Sequence, residues 1–190
     1  KQVVFNSPDG VTVHGQLFEA PGGAAKKPAV IYVHGGPPRQ MLLGWHYSDY
    51  YSNAYATNQY LASRGMVALT PEYRVKGKHN TTPDRCFEDG KSVVRWVRMN
   101  ARELGVDPSR VVCSGGSAGG TLSVMAALSD DFDAESEGRS ISSRPDALVL
   151  YNPALTAPGR PGLQPSRGEE LNRLLSAWKV TKGNPPMILF

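Results

Sequence analysis

Gly115-Gly116-Ser117-Ala118-Gly119 is the stretch of this chain with the strongest claim to chemistry, because it fits the pattern G-x-S-x-G. The pattern has a steric logic. A serine on a sharp strand-to-helix turn has its hydroxyl lifted clear of the sheet, and a side chain two residues to either side would collide with backbone, so glycine stands at both places. The helix that follows brings free N–H groups and a partial positive charge to the same spot, which suits an oxyanion. Arg110-Val111-Val112-Cys113-Ser114 reads as a short strand before the turn and Thr121–Leu128 as a helix after it, the context the pattern requires. The competing reading is a glycine-rich turn that cradles phosphate. Against it, the chain has no G-x-x-x-x-G-K-[ST], and the turn does not follow the first strand.

A tetrahedral intermediate needs two N–H donors converging on one oxygen. Ala118, after the serine, is one candidate; Gly35 or Gly36, in the bare His34-Gly35-Gly36 loop that ends the apolar run Pro28–Val33, is the other. His34 itself reads as a residue that bonds backbone and holds the loop. His46 and His79 fall in loops after parallel strands, so each is a candidate for lining the pocket or for accepting the Ser117 proton. Trp45, Tyr47, Tyr50, Tyr51 and Tyr55 are concentrated enough to line an aromatic acyl or sugar pocket, and packing under the sheet accounts for them equally well. Asp84, Glu88 and Asp89 are read as complementing a helix dipole and capping the helix start. The acidic run Asp130, Asp131, Asp133, Glu135 and Glu137 lacks the glycine and terminal glutamate of a calcium loop and is read as solvated. No metal or cofactor is expected.

The elements that must position these residues alternate. A chain of 190 residues is one domain. Gln2–Phe5 and Val11–Phe18, separated by Ser7-Pro8-Asp9-Gly10, read as an antiparallel pair at a sheet edge. The runs Pro28–Val33, Met66–Thr70, Arg110–Ser114, Ala147–Asn152 and Met187–Phe190 read as buried parallel strands. Helices are expected at Asn53–Arg64, Asp84–Leu104, Thr121–Leu128 and Glu169–Trp178, with a polar, irregular connector from Glu72 to Pro83. Asp84–Leu104 and Thr121–Leu128 are expected on opposite faces of the sheet. Such regular alternation argues for a mainly parallel, twisted sheet with helices on both faces and chemistry at the carboxyl ends of its strands.

Net charge is +4, with basic residues scattered, so a nucleic-acid partner is not indicated. No run approaches the roughly 18 apolar residues of a membrane span. Cys86 and Cys113 read as unpaired. The start at Lys1 suggests a processed or trimmed terminus.

Asp9-Gly10-Val11-Thr12-Val13-His14-Gly15-Gln16-Leu17-Phe18, then His34-Gly35-Gly36-Pro37-Pro38-Arg39-Gln40 and Leu43-Gly44-Trp45-His46-Tyr47, are similar to the catalytic domain of prolyl oligopeptidase-family peptidases. Tyr60-Leu61-Ala62-Ser63-Arg64-Gly65, Glu72-Tyr73-Arg74-Val75-Lys76, Phe87-Glu88-Asp89, Gly115 to Gly120 and Leu150-Tyr151-Asn152-Pro153 resemble the acetyl-esterase and feruloyl-esterase-like group. Both belong to the α/β-hydrolase superfamily. The Gly-Gly-Ser-Ala-Gly-Gly turn is typical of the esterases, whereas the peptidases usually carry an aromatic residue beside the nucleophile and a β-propeller before the hydrolase domain.

The resemblance implies an α/β-hydrolase fold and a serine hydrolase of carboxylic esters, with Ser117 as nucleophile, small acyl groups as substrate, carbohydrate a candidate carrier, and no cofactor. It further implies an acid after the Met187–Phe190 strand and a histidine later still. All four histidines precede Ser117 and the sequence ends at Phe190, so residues 1–190 are expected to be a single domain truncated at its C-terminal end and a poor enzyme alone. The rival readings are a peptidase using the same chemistry and a non-catalytic hydrolase-like module. Self-association through the sheet edge at Met187–Phe190 is a further expectation. The compartment is not legible, a periplasmic or secreted one being favoured.

Overall fold

The computed structural model describes residues 1–7, 9–19, 22, 26–36, 47–155 and 181–190. Among the described residues seven strands form one sheet: β1 (Gln2–Asn6), β2 (Thr12–Phe18), β3 (Lys27–Val33), β4 (Val67–Pro71), β5 (Val106–Gly116), β6 (Ala147–Tyr151) and β7 (Met187–Leu189). Their order is β1-β2-β4-β3-β5-β6-β7; β1 pairs antiparallel with β2 and β2 with β4, and from β4 to β7 every pairing is parallel. The expected parallel block is therefore present. Its register sets Leu69, Ile31, Cys113 and Leu148 side by side. All four are buried, because strands covered on both faces can be apolar at every position.

Five helices are described: α1 (Asp49–Ser63), α2 (Lys76–His79), α3 (Pro83–Met99), α4 (Ala101–Leu104) and α5 (Ala118–Leu128). The long helix expected over Asp84–Leu104 breaks at Asn100 into α3 and α4, and Gly105 ends α4 in the left-handed region at φ +64°. The connector from Glu72 is less irregular than its composition suggests. Tyr73, Arg74 and Val75 are buried and α2 follows them.

Helices do cover both faces, but not in the expected arrangement. Phe87, Val93 and Val97 of α3 and Leu122 and Met125 of α5 join Ile31, Leu69, Cys113 and Leu148 in one core, and Gly90 packs directly on Leu122. Thus α3 and α5 share a face. Helix α1 lies on the other, its Ala54 and Tyr51 against Tyr32 and its Ala62 against Phe18 and Ala68. Chain direction explains this. The β3-α1-β4 crossover runs one way across the sheet, whereas β4-α3-β5 and β5-α5-β6 both run the other way, so a common right-handedness puts α3 and α5 together opposite α1. Adjacent strands β3 and β5 therefore send their connections to opposite faces, which opens a crevice between their carboxyl ends.

Strand β7 is the outermost, and Met187, Ile188 and Leu189 are exposed, not buried as their apolar run suggests. The expected helix Glu169–Trp178 lies outside the described residues.

Candidate active site

The β3–β5 crevice is where the loop after β3 meets the turn after β5. Ser117 stands between β5 and α5 at φ +52°, ψ −120°, a conformation that costs a non-glycine residue on the order of 1–3 kcal/mol and persists only where the surroundings enforce it. The enforcement is visible. The Ser117 N–H donates to Tyr151 O at 3.1 Å at the end of β6, and Ser117 O accepts from the Ala154 N–H at 3.1 Å. Thr121 Oγ1 adds a bond to Ala154 O at 2.7 Å.

Glycines make the approach between the two strand ends possible. A Cβ on Gly115 would lie 2.5 Å from Val33 O, and one on Gly119 would overlap Val33 O and come within 2.6 Å of His34 O. A Cβ on Gly35 would lie 2.7 Å from Gly116 O and 3.2 Å from Ser117 Cβ. The outer glycines of G-x-S-x-G thus yield their side-chain space to the end of β3 and, at Gly115, equally to Gly119 across the turn. Gly36 adopts φ +57°, so it has a backbone reason to be glycine besides an open approach.

Two tyrosines hold the loop from the other side. Tyr51 Oη donates to Gly35 O at 2.5 Å, and Tyr73 Oη donates to His34 O at 3.0 Å while its ring stacks on the His34 imidazole at 4.6 Å. His34 Nδ1 also lies 2.9 Å from Gly35 O. A carbonyl only accepts, so Nδ1 carries the proton and Nε2 is the acceptor. Burial pushes the His34 imidazole down to about 4, and Nε2 has no hydrogen-bond partner among the described residues. His34 is a neutral anchor for the loop. Burial likewise raises the Tyr73 phenol, which therefore remains a donor.

Ser117, Ala118, Gly35 and Gly36 are thus brought to one crevice. Ala118 opens α5, where an N–H has no acceptor within its own helix. His79 ends α2 in the segment after β4, a strand separated from β5 by β3. Its Nδ1 accepts from the Val75 N–H at 3.0 Å, and burial followed by Lys78 lowers its pKa. Trp45 and His46 lie outside the described residues. Of the aromatic cluster, Tyr51 is buried, Tyr55 packs edge-on against Phe18 at 5.2 Å, and Tyr47 is exposed.

Sequence reasoning missed a charged knot behind the site. The Arg74 side chain is 1% exposed and reaches Asp89, Glu88 at 3.1 Å and Asp9 at 2.6 Å. Its own N–H donates to Asp89 Oδ2 at 2.6 Å. Glu88 and Asp89 therefore hold an arginine beside Tyr73, in addition to lying near a helix start. Asp133 and Glu137 of the acidic run likewise pair with Lys91 and Arg95 of α3. The visible signal was an Arg next to Tyr73 and two adjacent carboxylates a dozen or so residues on; what linked them was the path of the chain.

A mostly parallel sheet with α1 on one face, α3 and α5 on the other, and a strained serine turn facing a glycine loop across its switch point is the architecture of an α/β-hydrolase. The model of the BD-FAE family matches residues 16–149, and the chain belongs to that family. It is 31% identical over 125 residues to carboxylesterase NlhH of Mycobacterium tuberculosis, and 35% identical over 101 residues to esterase LipC of the same organism. These stretches are 65% and 53% of this chain but 36% and 23% of the relatives, so the chain spans about a third or less of their length. Among solved structures, apo esterase 2 of Thermogutta terrifontis is 34% identical with a TM-score of 0.81, covering all of this chain and 70% of that one. The propionate-bound form of that esterase gives 0.78, and the form phosphorylated by paraoxon gives 0.76 at 32% identity.

Proposed function

We propose that the protein containing this chain hydrolyses carboxylic esters of small acyl groups through an acyl-enzyme on Ser117. The observation that carries the reading is Ser117 itself, held at φ +52° on a turn that packs against Gly35. In this mechanism Oγ attacks the ester carbonyl as its proton passes to a base. The N–H groups of Gly36 and Ala118 receive the oxyanion, and its collapse expels the alcohol and leaves Ser117 acylated; water then releases the acid by the reverse sequence. The names of the relatives, carboxylesterase and esterase, support ester chemistry, and the propionate and butyrate complexes of the T. terrifontis enzyme support a short acyl group.

The acid and base are part of the proposal. His14 is an exposed residue of β2 bonded to Gln2, the buried His34 ring stacks on Tyr73 with its Nε2 3.8 Å from Glu72, and His79 Nδ1 already accepts from the Val75 N–H, so none of these three rings is poised to serve Ser117. We therefore place the base outside the described residues, where the fourth histidine, His46, also lies.

An aryl acetate and a peptide anilide, each assayed with the intact protein and its Ser117→Ala variant, test the reading. Acetate turnover lost by a factor on the order of 10⁴ or more in the variant, with the anilide untouched, is the expected result. Cleavage of the anilide in preference to the ester would make the protein a peptidase, and unchanged turnover in the variant would remove Ser117 from the mechanism.

A further inference from the structure

We propose that Tyr51 and Tyr73 are positioning residues that aim the oxyanion-binding N–H of Gly36, a role that rests on the ester-hydrolase reading above. Among the described residues every peptide bond is trans, and in a trans peptide the N–H and C=O point in opposite directions. The carbonyl of Gly35 and the N–H of Gly36 belong to the same peptide unit. Tyr51 Oη, 2.5 Å from Gly35 O, turns that carbonyl toward α1, so the Gly36 N–H points away from α1, into the crevice. The next unit back is held the same way, with Tyr73 Oη on His34 O at 3.0 Å.

Two glycines in succession, one of them at φ +57°, have little conformational preference of their own. A bare loop of that kind needs an outside agent to choose one peptide orientation, and three groups converge to do it. Tyr51 comes from α1 and Tyr73 from the segment after β4, both buried, and His34 Nδ1 is the second donor to Gly35 O. Ser117 Cβ lies against the Gly35 position, so tilting this peptide moves the donor relative to the nucleophile without disturbing the strand ends. Neither tyrosine touches substrate in this scheme. Each acts through the backbone unit that does, and the gain is preorganisation: the donor already faces the place where charge develops.

Tyr51→Phe and Tyr73→Phe each remove one hydroxyl and keep the ring. The test reads three quantities for the intact protein and both variants, each well below its own melting midpoint: kcat and KM for an aryl acetate, and the Ki of an aryl trifluoromethyl ketone, whose adduct with the serine carries a tetrahedral oxyanion. Tyr51→Phe is expected to lower kcat about tenfold to a hundredfold and raise Ki by a similar factor, with KM within about twofold, because only the oxyanion state uses the donor. Tyr73→Phe, one peptide further away, is expected to show the same split at smaller size. Variants that match the parent in kcat and Ki overturn the positioning role and leave ester hydrolysis standing, as do variants whose KM and Ki rise together. Absence of both turnover and ketone inhibition in the parent protein overturns the ester-hydrolase reading and this inference with it.

Discussion

The Ser117 junction and the Arg74 knot lie at the same end of the sheet and are held by opposite means. At the junction, backbone meets backbone: Val33 O, His34 O and Gly116 O occupy the space where side chains of Gly119, Gly115 and Gly35 would be. In the knot, one guanidinium gathers three carboxylates from the turn after β1 and from α3. The first device fixes distance by excluding atoms and needs no charge. The second fixes a loop by satisfying charge, and it allows Tyr73, next to Arg74, to reach the carbonyl of His34. The Ser117 junction is thus held sterically, where backbone meets backbone, and the Arg74 loop electrostatically, where a segment has only to be kept in place.

The two regions should fail differently. Arg74→Met leaves Asp89 buried without its charged partner, whereas Glu88 keeps Arg85 at 2.6 Å, and is expected to cost about 3–5 kcal/mol of stability in a denaturant melt. Adding Asp89→Asn, which removes the unpaired charge and keeps an acceptor for the residue-74 N–H, should restore a good part of that loss. Gly119→Ala comes next, at about 3 kcal/mol, or a fall of roughly 10 °C in melting midpoint. No partner substitution should rescue it, because the obstacle is Val33 O and not a side chain. Rescue of Gly119→Ala by trimming a neighbouring side chain would erase the distinction.

Acid separates the regions more finely. Burial lowers His34 from its ordinary 6.5 to about 4. Between those values the unfolded chain binds a proton that the folded one refuses, so the stability this residue contributes is complete above pH 6.5 and falls as pH drops, by about 3 kcal/mol in all. Burial would raise the Asp133 carboxyl, but Arg95 and Lys91 more than offset it and hold it below 3.8. Its contribution is therefore present above 3.8 and is lost only as pH falls further. Chemical denaturation from pH 7 to pH 3 should show the first loss vanish in His34→Asn and the second persist. An unchanged slope between pH 6.5 and 4 in that variant would place the titration elsewhere.

Local chemistry explains what was legible. The five apolar runs marked the parallel strands, and Gly115, Ser117 and Gly119 marked the turn, because buried strands and close backbone approaches each demand particular residue types. The sharing of one face by α3 and α5 depends on strand order, which no local pattern encodes; once β4 is known to lie beyond β3, handedness settles it. Arg74 and Tyr73 looked like part of a polar connector because their partners, Asp9, Asp89 and His34, are distant in sequence and become neighbours only in the fold. Tyr51 sat in an aromatic cluster with two equal readings; its ring packs against Tyr32 while its hydroxyl bonds the loop, so a residue counted as packing also reaches the site.

Ser117, held in this junction, is the nucleophile of the proposed reaction. Mapping the adduct of the intact protein with a fluorophosphonate tests this role most directly. A single modified peptide with the phosphonyl group on Ser117 is expected, formed in step with loss of aryl acetate turnover and absent from Ser117→Ala. Turnover that disappears with the label on Ser114 or another serine, or that survives complete labelling of Ser117, would contradict it.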